Sequence, residues 1–207
     1  RELLRKQQGG TSVKLFEIHK RNSLDENRTA IRYHGKTVTY SELEQKITSF
    51  ARYFIQKGLK PGDRVAIAMP NCPEFIYSYL GIAKAGGIVV PLNLMLSPHE
   101  LAFMLQDSGT RYLIVDPAIG NKLKQLPLTS ITMIVLDEVC QQEIDIVPEA
   151  VFPDVEDNSI CTFLYTSGTT GLPKAAMLTH TNIIANVKSM EEVSGFTGED
   201  NFLAVLP

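Results

Sequence analysis

Between two short apolar runs, Ile160 to Tyr165 and Ala175 to Leu178, lies the segment Thr166-Ser167-Gly168-Thr169-Thr170-Gly171-Leu172-Pro173-Lys174. It carries four hydroxyls, two glycines and a terminal cation, with no acidic residue. A polyphosphate needs many short donors close to the backbone, free N–H groups and a positive charge, and glycine allows the dihedrals that wrap it. Strand, polar loop, strand is the expected local shape, and wrapping an anion is the expected chemistry. A plain Ser/Thr/Gly hairpin turn is the simpler alternative, but a turn requires neither four hydroxyls nor a lysine. The Walker A loop places Lys between Gly and Ser or Thr, whereas Lys174 follows Pro173 and precedes Ala175. A phosphotransferase or GTPase switch would need a hydroxyl after that lysine to hold Mg²⁺, so Ala175 excludes that arrangement.

Other reactive residue types have plainer explanations. Thr179-His180-Thr181-Asn182 directly precedes Ile183, Ile184 and Val187, so helix capping accounts for the polar cluster better than a catalytic His180 does. Asn182 and Asn186 are close enough to approach a ligand, but side chains after a loop more often bond local backbone, and they stay unassigned. Cys72, Cys140 and Cys161 form no Cys-x-x-Cys pair and no zinc-spaced cluster, which reads as reduced thiols in a cytoplasmic protein. Cys161, inside an apolar run, reads as packing.

The elements that must position the loop follow from pattern. Ile31 to Tyr33 and Val38 to Tyr40 are β-prone around His34-Gly35-Lys36, a hairpin. Ser41-Glu42-Leu43-Glu44 fits a capping box, predicting a helix start at Ser41; Leu43, Ile47, Phe50 and Phe54 form one stripe, and Gly58 can stop it. Pro61-Gly62-Asp63 makes a turn before Val65 to Met69, an apolar run without alternation, as in a parallel strand covered on both faces. A helix over about 72–85, a strand at Ile88 to Val90 and a helix capped by Ser97-Pro98-His99-Glu100 come next. Gly109 ends that helix; Tyr112 to Val115 is a strand, a short helix surrounds Lys122, and Ile131 to Leu136 is a strand. Alternating strands and helices predict an open α/β fold. Residues 1–136 read as a first α/β subdomain, 137–158 as an acidic, loop-rich connector without Lys or Arg, and 159–207 as the phosphate-loop segment with a following helix and a strand-like run, Phe202 to Leu206.

The 207 residues carry a formal net charge of −3 with Lys and Arg dispersed, which gives no electrostatic footprint for nucleic acid. No stretch approaches the ~18 apolar residues of a membrane span; the best, Tyr79 to Leu92, contains Lys84, Gly86, Gly87 and Pro91. No secretory leader opens the chain, and its first residue, Arg1, suggests that it begins within a longer protein.

Tyr165 to Lys174 resembles the signature of the AMP-forming adenylating superfamily, which includes acyl-CoA synthetases, luciferases and peptide-synthetase adenylation domains. Thr39 to Leu43, Pro61 to Val65, Asn71 to Phe75, and Lys84-Ala85-Gly86 through Pro91-Leu92-Asn93 resemble it as well, so the likeness covers roughly residues 12–207. It implies the N-terminal part of an acetyl-CoA synthetase-like fold: an open, mostly parallel sheet with flanking helices and the start of a second subdomain. It also implies that Thr166, Ser167, Gly168, Thr169, Thr170, Gly171 and Lys174 cradle the β- and γ-phosphates of ATP, with Lys174 positioning phosphate in catalysis.

The implied reaction is attack of a carboxylate on the α-phosphorus, expelling pyrophosphate, followed by transfer of the acyl group to CoA, with ATP, Mg²⁺ and CoA taking part. Metal, adenine and acyl-pocket residues and a second catalytic lysine are implied beyond Pro207, so residues 1–207 alone are expected to be inactive. Such a cut would also expose apolar surface and favour self-association. Asn71 to Phe75 and Pro91 to Leu101 look most like bacterial long- and medium-chain fatty-acid–CoA ligases, which makes a fatty acid the expected substrate and peripheral membrane contact feasible. Thr169, where adenylation domains commonly have Ser, favours the synthetase over a domain loading an amino or aryl acid onto a carrier protein. The family usually has Gly where Ala175 stands; that departure is the one hint of a non-catalytic nucleotide-binding relative, and Lys174 argues against it.

Overall fold

A computed structural model describes residues 13–20, 25–123, 128, 130–166 and 172–205. After a 3₁₀ turn at Leu15–Lys20, β1 (Thr29–Tyr33) and β2 (Lys36–Thr39) form an antiparallel hairpin. Its two central residues, His34 and Gly35, have φ of 46° and 77°, the pair of positive values that a tight turn between right-twisted strands requires.

Helix α1 (Tyr40–Gln56) starts two residues earlier than the Ser41 box predicts. The Thr39 hydroxyl accepts from Glu42 N–H, and the Glu42 carboxylate accepts from Thr39 N–H. Two overlapping boxes are written into Thr39 to Glu44, and the hairpin chooses between them: Thr39 pairs with Thr29, so extended backbone ends there and the helix begins at once. Glu44 is thereby released to meet His19 Nε2 at 2.7 Å, Lys20 Nζ at 2.8 Å and Lys84 Nζ at 2.9 Å. Burial works to raise its pKa, but these bonds win and hold it well below the usual carboxylate range. Thr39→Ala is expected to cost about 1 kcal/mol and Ser41→Ala only a few tenths; equal shifts in the urea midpoint of the two variants would return the cap to Ser41.

Next come β3 (Arg64–Ala68), α2 (Pro73–Lys84), β4 (Ile88–Pro91), α3 (Pro98–Asp107), β5 (Tyr112–Val115), α4 (Pro117–Leu123) and β6 (Thr132–Val135). The Ser97–Glu100 box forms as expected. Helix α5 (Glu138–Asp145), β7 (Ile160–Thr166), β8 (Lys174–Thr179) and α6 (His180–Ser194) complete the order. One six-stranded sheet runs β6-β5-β3-β4-β7-β8, parallel except for β8. Alternate residues point to opposite layers. Val65, Ile67, Val89 and Ile114 meet α1, α2 and α5; Ala66, Ala68, Val90, Leu113 and Val115 meet α3 and α4. Each large apolar side chain so covered stabilises the fold by about 1.5–3 kcal/mol, which is why β3 carries no polar alternation.

Two further expectations change. Within 137–158, residues 138–145 are helical: Asp137 accepts from Cys140 N–H at 2.9 Å, and Cys140 and Ile144, one turn apart, are buried. The acidic side chains find cations on α1 and just beyond it: Lys46–Asp145 at 2.6 Å, Lys57–Glu143 at 3.1 Å, and Arg52–Glu149. Composition read as solvated filler because those partners lie about 90 residues away in sequence. The run Phe202 to Leu206, expected to be a strand, is irregular over 201–205, and Leu206 lies outside the described residues. No neighbouring strand takes its backbone groups among the described residues, and Phe202 instead meets Phe196 edge-on at 4.7 Å.

Candidate functional site

Strand β7 delivers Thr166 and strand β8 begins at Lys174, and the two residues are directly paired in the antiparallel ladder, with Tyr165 opposite Ala175 one step inward. The loop of interest therefore leaves and re-enters the sheet through a closed mouth. Thr166 and Lys174 are exposed, and Pro173 beside them is buried. Ser167, Gly168, Thr169, Thr170 and Gly171 lie outside the described residues. Among the described residues no ion pair engages Lys174. Ala175 sits within the ladder, half-buried.

The mouth lies at the carboxyl ends of the parallel strands, where ligands bind in open α/β sheets. A cavity of about 540 Å³ opens there, lined by Met69 and Asn71 beyond β3, Asn93 beyond β4, Met104 on α3, and Tyr165 and Thr166 on β7. A second cavity, of about 530 Å³, lies at the ends of β3, β5 and β6 and presents Glu74, Asp116, Asp137 and Glu138. Four carboxylates there would repel a polyphosphate. Asn71 and Asn93 fall within family-like segments, yet motif spacing does not single them out as site residues. The signal that could have found them is their place just past the carboxyl ends of β3 and β4.

His180 is absent from both cavities. It follows the Thr179 cap, whose hydroxyl accepts from Asn182 N–H; Asn182 is thus a capping residue. His180 Nδ1 accepts from Leu15 N–H at 3.1 Å, and the ring stands edge-on to Phe16. Burial, then the Lys14 charge, depress its pKa from 6.5 to about 4, against a smaller opposing effect of Glu17. Because the folded state disfavours the proton, this contribution to stability is complete above about pH 6.5 and is lost as pH falls toward 4. The expected result is a denaturation midpoint that falls between pH 6.5 and 4 in the natural protein and falls less steeply in His180→Gln; parallel profiles would remove His180 from the acid response. The cysteines are free, and burial pushes both Cys72 and Cys161 up to about 11. Neither is a thiolate near neutral pH, and Cys161 is fully buried packing.

The sequence profile of the AMP-binding enzyme family matches residues 18–207. The chain is 31% identical over 188 residues to a feruloyl-CoA synthase of Amycolatopsis, covering 91% of this chain and 38% of that protein. It is 31% identical over 198 residues to a long-chain-fatty-acid–CoA ligase of Bacillus subtilis, covering 78% of this chain and 35% of the ligase. A linear gramicidin synthase of Brevibacillus parabrevis is 34% identical over 179 residues, 85% of this chain and 3% of that protein. Among solved structures, ATP-bound MatB from Rhodopseudomonas palustris superposes with a TM-score of 0.80 at 28% identity, over 90% of this chain and 39% of that one. The chain belongs to the AMP-binding enzyme family, and its mostly parallel sheet and flanking helices have the acyl-CoA synthetase-like N-terminal architecture. It spans a little over a third of the length of the CoA-ligase relatives it matches.

Proposed function

We propose that the protein activates a carboxylic acid with ATP, and that the acid is a fatty acid. A carboxylate oxygen attacks the α-phosphorus, the bond to the bridging oxygen breaks, and pyrophosphate leaves; the CoA thiol then attacks the acyl carbonyl, and AMP leaves. The observation that carries this reading is the pairing of Thr166 with Lys174 at the mouth of a hydroxyl- and glycine-rich loop. Bringing an anion to a tetra-anionic nucleotide is a problem of charge neutralisation and positioning. In this reading Lys174, the hydroxyls of Thr166, Ser167, Thr169 and Thr170, and the N–H groups of the loop, including Gly168 and Gly171, receive the β- and γ-phosphates. Mg²⁺ enters with the nucleotide; among the described residues no group of three His, Cys, Asp or Glu is placed to hold a metal.

The fatty acid is favoured by the likeness to the Bacillus subtilis ligase. Among the described residues no helix is long and apolar enough to cross a membrane, and a cytoplasmic place of action accords with the reading. The gramicidin synthase relative favours a second reading, in which an amino or aryl acid is loaded onto a carrier protein. Carboxylate-dependent exchange of labelled pyrophosphate into ATP, run on the whole protein with fatty, aryl and amino acids, separates these. Exchange confined to fatty acids supports the fatty-acid reading, exchange confined to amino acids supports the loading domain, exchange with aryl acids is assigned to either by whether added CoA is acylated, and ATP binding without exchange leaves a nucleotide-binding relative.

A further inference from the structure

Tyr165 leaves β7 on the α3 side of the sheet. Its phenol donates to Asp107 Oδ2 at 2.6 Å, with the Met104 carbonyl 3.4 Å away. Asp107 is the last residue of α3, and no basic residue occupies that final turn. A carboxylate there faces the negative end of the helix dipole, a place where helices disfavour acids. The nearby Arg64 guanidinium is committed to backbone, donating to the Ser108 carbonyl at 2.7 Å and the Gly109 carbonyl at 2.9 Å. The phenol is therefore the group that meets the Asp107 carboxylate, through a charge-assisted hydrogen bond. Burial first, and the Asp107 bond second, raise the phenol pKa, so Tyr165 remains a donor through the working pH range.

The backbone of the same residue carries this tie to the site. Tyr165 pairs with Ala175, and the next pair, Thr166 with Lys174, is the mouth of the phosphate loop. Glu100, Met104, Tyr165 and Thr166 share one cavity wall, and the far end of α3 is held by the Ser97–Glu100 box. The helix is thus a braced strut ending at the phenol.

We propose that Tyr165 and Asp107 form a positioning pair that fixes the mouth of the loop against α3 and so presets the spacing of Thr166 and Lys174 for nucleotide phosphates. This rests on the adenylation reading above. Neither residue touches phosphate; both act through the hairpin, and the gain is preorganisation.

The test compares Tyr165→Phe, Asp107→Ala, Asp107→Asn and the Tyr165→Phe/Asp107→Ala double variant in the whole protein. Calorimetry gives the ATP Kd, and pyrophosphate exchange gives kcat and the KM for ATP and for carboxylate. Tyr165→Phe and Asp107→Ala should each weaken ATP binding about threefold to tenfold, the size of one such hydrogen bond. The carboxylate KM should stay unchanged, and the double variant should be no worse than either single one, because both remove the same bond. Asp107→Asn still accepts from the phenol and should recover most of the affinity. An unchanged ATP Kd in Tyr165→Phe overturns the pair, as do losses that multiply in the double variant. So does a joint shift of ATP and carboxylate constants with the thermal midpoint, which is what a purely structural role gives. Natural protein that binds ATP yet exchanges with no acid refutes the adenylation reading while the Kd series still decides the pair; natural protein that binds no ATP overturns both.

Discussion

Lys174→Ala in the whole protein is expected to lower kcat/KM for ATP in pyrophosphate exchange by about 10- to 100-fold, the equivalent of one charge-assisted bond to phosphate. Lys174 is exposed at the first position of β8, and its ladder partner Thr166 is held through backbone groups that alanine keeps. Among the described residues its side chain is in no ion pair, so truncation leaves no buried charge behind. The thermal midpoint should therefore move by no more than about 1–2 °C, as for surface substitutions generally. Lys174→Arg keeps the charge but replaces a compact ammonium with a planar fork, and should fall between the two. Exchange kinetics of Lys174→Ala equal to those of the natural protein would remove the lysine from the reaction.

Gly81→Val should have the largest effect on stability. Gly81 lies on α2 where that helix crosses α1, and a Cβ there would stand 2.8 Å from Phe50 Cβ, 3.1 Å from Ala51 N and 3.2 Å from Ile47 O. Two of these neighbours are backbone atoms of a helix and cannot rotate away. Phe50 and Ile47 are fully buried, so the helices can separate only by opening the core. Overpacking of this kind costs about 1–3 kcal/mol, occasionally more, and valine adds two methyl groups without the helix propensity that alanine would contribute. We expect a fall of about 5 °C or more in the calorimetric midpoint. In Gly81→Ala the clash is offset by about 1 kcal/mol of propensity, so its loss should be clearly smaller. A valine variant as stable as the natural protein would mean that α1 and α2 are not in close contact at this crossing.

Local pattern was sufficient wherever the deciding hydrogen bonds are local. The alternation of strands and helices, the Ser97 box and the Thr179 cap are all legible because an element and its cap lie within a few residues of each other. The loop 166–174 stands out as a candidate anion site for a related reason: nine consecutive residues carry the hydroxyls, glycines and cation that such a site needs. Where two local answers compete, the sequence cannot choose. Thr39 and Ser41 both head a capping box, and only the pairing of Thr39 with Thr29 makes the first one operate. Residues 138–145 read as loop until Lys46 and Lys57 are seen beside their acids and Cys140 and Ile144 are seen buried. The order β6-β5-β3-β4-β7-β8 was out of reach in the same way, because it depends on which apolar faces find cover and on right-handed crossovers. The cavity followed from that order. Its walls come from strand ends and a helix that lie far apart along the chain, from Met69 to Thr166, brought together by the parallel ladder and by no pattern written near any of them.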